Sequence, residues 1–220
     1  MRQLERRAIL HAKEVTAQNI MKREQPDDDR SARSRASIDL YWLPLRAATA
    51  SDLYHSALEV RVPEGRFVIE QAPMRAGDGA ERGVVAEGAV GSRWAGHLRI
   101  FRYELRRWRD GVIPDVAEAV ESPQRLSDDP QRARRLLALV PSVPTPVWGR
   151  DELSAGEMWN SNSIIAWLVA RAGLDADAIV PPMGGRAPGW NAGLLVARRD
   201  EIQTRQRKPQ RRTAAPTRAG

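Results

Sequence analysis

The sequence predicts one α+β domain in which a small antiparallel sheet packs against helices. Three observations lead to this reading. Stretches that alternate apolar and polar side chains occur at SIDLYWLPL, DLYHSALEVRV and RFVIEQAP, the last two joined by the turn PEG at 63–65. Two later stretches, DPQRARRLLALV and NSIIAWLVARAG, have helical patterning. The length of 220 residues suits one domain with residues left over for tails.

The elements follow in order. Residues 2–24 hold strong helix formers with Leu4, Ile9, Leu10 and Val15 at loose helical spacing, and REQPDDDRSARSR after them reads as a charged linker. The domain therefore spans 37–199, preceded by a helix and linker over 1–36. After the hairpin, GVVAEG reads as a short strand and HLRIFRYELRRW as another. PDVAEAV reads as a short helix, and a second helix opens with Asp129 as N-cap and Pro130 at the first helical position. The prolines of PSVPTPVWGRDEL exclude regular structure, and Gly173 stops the helix that begins at NSII. GLLVAR at 193–198 reads as a last strand after the Pro/Gly-rich PPMGGRAPGW, and residues 200–220 as a disordered basic tail.

Composition narrows the function. The chain has no cysteine and three histidines, so thiolate chemistry and disulfides are excluded, and no metal or other cofactor is expected. No apolar run reaches the roughly 20 residues that cross a bilayer, and the charged start MRQLERRAILHAKEV does not resemble a secretory signal. The expectation is a cytoplasmic protein without a membrane partner. The net charge of +7 divides unevenly: residues 1–37 carry +3 and residues 198–220 carry +6, which leaves −2 for 38–197. Nucleic-acid contact is thus expected only through the basic tail, since the folded body lacks a basic excess.

Two places carry candidate chemistry. His55 lies in the strand LYHSALEV, where period-two geometry puts it on one face with Ala57 and Glu59. WNSNSIIAWL opens a helix with small hydroxyl and amide side chains, and the free backbone N–H groups there stabilise developing negative charge. A strand histidine facing a nucleophile at a helix N-terminus is a geometry for base-activated acyl transfer. On the hairpin return strand, Glu70 and Gln71 are the polar groups available to orient the imidazole, and Glu70 is preferred because a carboxylate better stabilises an imidazolium. A turn centred on Glu64 sets Gln71 across from Ala57 and Ile69 across from Glu59.

LYHSALEV with its return strand, followed about 100 residues later by WNSNSIIAWL, resembles the circularly permuted papain-like hydrolases. That group includes the PPPDE-type isopeptidases and the lecithin retinol acyltransferase-like proteins. The resemblance covers roughly residues 37–198 and implies a permuted papain-like fold, with Ser161 in the position of the nucleophilic cysteine and Asn160 before it. It implies catalytic roles for Ser161, His55 and Glu70, and contact of Trp159, Asn160 and Ser163 with a peptide or protein substrate. Serine is far less acidic than cysteine. Two readings therefore stand: a serine-based amide or ester hydrolase, or a non-catalytic protein- or peptide-binding module. The NSNS run also reads simply as an N-cap cluster, with Asn160 or Ser161 bonding backbone N–H groups. Trp159 and Trp190 are the tryptophans expected near a cleft.

Overall fold

The computed structural model describes residues 36–45, 52–74, 81–182 and 184–207. The helix and linker read over 1–36 fall outside the described residues except for Ala36, as does the tail from 208. Six strands are formed: β1 (Ser37–Pro44), β2 (Tyr54–Val62), β3 (Gly65–Pro73), β4 (Val84–Ala89), β5 (Arg102–Arg109) and β6 (Val120–Ser127). They make one antiparallel sheet in the order β4-β5-β3-β2-β1-β6. Three helices follow among the described residues: α1 (Pro130–Leu139), α2 (Ser161–Arg171) and α3 (Trp190–Arg207). An antiparallel sheet with helices packed on it is the α+β class expected from the sequence.

Side-chain alternation divides the sheet into two faces. Ile38, Leu40 and Trp42 of β1, Tyr54, Leu58 and Val60 of β2, Ile69 of β3 and Leu105 of β5 join one core with Leu136, Ile164, Ile165, Leu168 and Leu194 from the helices. The other face carries a smaller cluster, Leu43, Ala57 and Val68, packed against Ile113 from the loop after β5. Burying apolar side chains against the helices contributes about 1.5–3 kcal/mol per large residue, which makes the first face the main source of stability.

Local signals explain most boundaries. Asp129 accepts hydrogen bonds from Gln131 N (2.7 Å) and Arg132 N (3.4 Å), and Pro130 occupies the first turn of α1, where no N–H is needed. Past the end of α2, Gly173 has φ +86°, a conformation that glycine adopts without strain.

Five expectations are corrected. GLLVAR is not a strand, because Ala192, Leu194, Val196 and Ala197 are buried along α3, which runs from Trp190 to Arg207. A Cβ on Gly193 would lie 2.2 Å from the Ser163 carbonyl oxygen, so glycine lets the backbones of α2 and α3 approach closely. Residues 200–207 consequently belong to this helix and not to a disordered tail. HLRIFRYELRRW is a strand only from Arg102, because β4 supplies no partner before the pair Ala89–Arg102. PDVAEAV holds a single 3-10 turn, Val116–Glu118, after which β6 pairs with the outer edge of β1. There pairing outweighs local helix propensity, and Pro123 is accommodated because β6 is an edge strand. Finally, the hairpin turn joins Val62 directly to Gly65 as a pair, which sets Ile69 opposite Leu58 rather than Glu59.

Candidate functional site

The start of α2 is built by its own polar side chains. Asn160 is extended (φ −158°, ψ −166°), and its Oδ1 accepts from Asn162 N (2.9 Å) and Ser163 N (3.3 Å). Ser163 Oγ accepts in return from Asn160 N (3.1 Å), which completes a capping box. The remaining groups bind the helix to its surroundings. Asn160 Nδ2 donates to Pro188 O (2.8 Å), and Ser163 Oγ donates to Gly189 O (2.8 Å). Asn162 Nδ2 donates to Tyr54 O (2.9 Å) and Pro188 O (3.0 Å), while Ser56 Oγ donates to Asn162 Oδ1 (2.8 Å). A Cβ on Gly189 would meet Asn160 Oδ1 at 2.6 Å and Ser163 Oγ at 2.7 Å, so the loop fits only with glycine there.

These bonds give Asn160 and Ser163 structural roles. Asn160 and Ser163, expected at a substrate, are a cap and a tie to the loop before α3. Trp159, expected near a cleft, is almost wholly buried in the main core. Ser161 occupies the first helical position with its side chain buried, and its Oγ joins no hydrogen bond among the described residues.

His55 stands elsewhere. From β2 it is Ser56 that reaches α2, and alternation turns His55 to the second face, in line with Ala57. Burial lowers the His55 pKa from its ordinary 6.5, against the opposing pull of Asp115. Glu70 also lies on the second face, opposite Arg106 of β5, whose guanidinium donates to it (2.8 Å). The same arginine bonds Glu104 (2.9 Å), which Arg82 meets at 3.1 Å. Burial alone would raise the Glu104 carboxyl, but the two arginines outweigh it and hold the group below the usual range. Among the described residues, no hydrogen bond joins Ser161 to His55 or Glu70. The structure brings the NSNS residues together with β2 and the loop at 188–189, and it does not assemble a hydrogen-bonded triad.

A cleft of about 800 Å³ opens on the other side of that loop. Its apolar walls come from Ile179, Val180, Pro181, Trp190 and Leu194. Trp190, expected near a cleft, does line it, and packs on Trp42 with ring centroids 5.3 Å apart. The charges at the cleft are already engaged. Glu157 accepts from Gly189 N (2.7 Å) and Asn191 Nδ2 (3.0 Å), Asp177 pairs with Arg198, and Arg186 pairs with Asp52 (3.2 Å). Of the apolar wall residues only Trp190 was singled out from the sequence; Ile179, Val180, Pro181 and Leu194 were not. The available signal was the Pro/Gly-rich loop itself, since loops held on a scaffold often carry binding sites.

No protein family, curated protein or solved structure matches this chain. No group of three or more histidine, aspartate or glutamate side chains among the described residues is placed to hold a metal ion. No described helix is long and apolar enough to cross a membrane.

Proposed function

We propose that this chain is a non-catalytic protein- or peptide-binding module whose cleft beside the start of α3 receives an apolar side chain of the partner. The observation that carries this reading is the cleft itself. At about 800 Å³ it lies within the range of roughly 300–1,000 Å³ typical of ligand sites, and its walls are mainly apolar. The distribution of polar groups supports the same reading. Asn160, Asn162 and Ser163 spend their hydrogen bonds on joining α2 to β2 and to the loop 188–189. In this reading a permuted papain-like arrangement serves as a scaffold, and Ser161, whose Oγ joins no hydrogen bond among the described residues, takes no part in catalysis.

Peptides selected on the full chain test the proposal. Val180 is 69% exposed at the cleft, so Val180→Asp leaves folding intact and should weaken binding by about tenfold or more. Ser161→Ala should bind as the parent does, and a fluorophosphonate serine probe should label neither protein. Labelling of Ser161 that disappears in His55→Ala would establish a hydrolase instead.

A further inference from the structure

Residues 91–102, GSRWAGHLRIFR, form a loop closed at its base and crowned with apolar side chains. Val90 N donates to Phe101 O (2.8 Å) and Gly91 N donates to Trp148 O (2.9 Å), which fixes both ends of the loop against the body. Two single 3-10 turns, Ala95–His97 and Arg99–Phe101, shape what lies between. Out of this frame stand Trp94 (82% exposed), Leu98 (56%), Ile100 (79%) and Phe101 (41%). Single exposed apolar residues are ordinary, but four large ones within eight residues form a patch that calls for a partner.

The charge pattern points to the kind of partner. The loop contains Arg93, Arg99 and Arg102 and no carboxylate. Arg93 pairs with Glu152 and Arg102 with Glu87, both at exposed positions where such pairs are weak, and Arg99 makes no ion pair among the described residues. Arg93, His97 and Arg102, with Glu152, line a cavity of about 380 Å³ at the flank of the loop, so the basic side chains cluster beside the apolar crown. Protruding side chains do not form a groove for a peptide. Tryptophan and phenylalanine beside arginines suit the headgroup region of a bilayer, where aromatic rings settle and basic residues meet anionic lipid.

We infer that this loop docks the protein on an anionic lipid surface, with Trp94, Leu98, Ile100 and Phe101 entering the interface and Arg99 meeting the headgroups. This is peripheral attachment and needs no membrane-spanning helix.

The test is co-sedimentation of the full chain with phosphatidylcholine vesicles, with and without phosphatidylglycerol. The chain should bind the vesicles that contain phosphatidylglycerol. Trp94→Ser with Ile100→Ser should weaken that binding by about tenfold or more, and Arg99→Glu by severalfold, with circular dichroism unchanged because these side chains are exposed. Because the basic tail could itself attract anionic lipid, a full-length variant with Lys208, Arg211, Arg212 and Arg218 replaced by glutamine should keep most of the binding. The inference is overturned if the parent does not bind, if the Trp94/Ile100 variant binds as the parent does, or if the tail variant loses binding. It is also overturned if the patch mediates self-association in solution, seen as a dimer that the double variant abolishes without any vesicle binding.

Discussion

His55 sits on β2 across from Leu43 of β1, and burial depresses its pKa although Asp115 pulls the other way. The unfolded chain takes up this proton near 6.5, the ordinary value, and the folded chain only at lower pH. Between those two points the unfolded state binds more protons, so stability rises with pH there. The contribution is fully present above the unfolded value and is lost as pH falls through the folded one. Thermal unfolding followed from neutral pH downward should therefore show a midpoint that drops below about pH 6.5, and His55→Gln should flatten that part of the profile. A profile whose slope is the same in the variant would mean that His55 is not held neutral by burial. The sequence placed His55 on its strand and on the same face as Ala57. It could not say which of the two faces the helices would cover, since both carry apolar residues.

At the scale of elements, α2 is buried along its length and is tied by hydrogen bonds at its first turn. Asn162 reaches two backbone carbonyls, Tyr54 and Pro188, and accepts from Ser56, so it joins sheet, helix and loop at one point. Asn162→Ala should cost about 2–3 kcal/mol in denaturant unfolding, because a buried hydroxyl and two carbonyls would lose a partner. Ser161→Ala, which breaks no hydrogen bond among the described residues, should stay within about 0.5 kcal/mol. Equal costs for the two would contradict this division of labour. Such local devices were legible: the N-cap cluster, Asp129 with Pro130, the PEG hairpin and the stop at Gly173 all follow from side-chain chemistry. The errors arose where distant contacts decide. GLLVAR is too short a run to separate strand from helix by periodicity, and its packing on α2 through Gly193 settles it as helix. Likewise the segment after Asp115 becomes β6 because the edge of β1 is open to it.

For the molecule as a whole, the sheet acts as a partition. One face holds the large core, Ser56 and the start of α2, and beside these the cleft at Trp190. The other holds His55, Glu70 and the arginine-linked carboxylates. The α+β class and the pairing of β2 with β3 were legible because that hairpin is local. The placing of His55 on the face away from Ser56 and α2 was not, because it depends on which face α2 covers, 100 residues further along. Beyond Trp190, the walls of the cleft were not legible for a related reason: they come from loop and helix residues that lack a shared period. The chain has no cysteine, so Ser161→Cys would carry a single thiol whose thiolate absorbance can be titrated directly. A neighbouring imidazolium would hold that thiol's pKa down. The titration should give the same thiol pKa with and without His55→Ala, both proteins being folded by circular dichroism. A rise of about one unit or more on removing His55 would show that the two positions meet and would contradict the non-catalytic account.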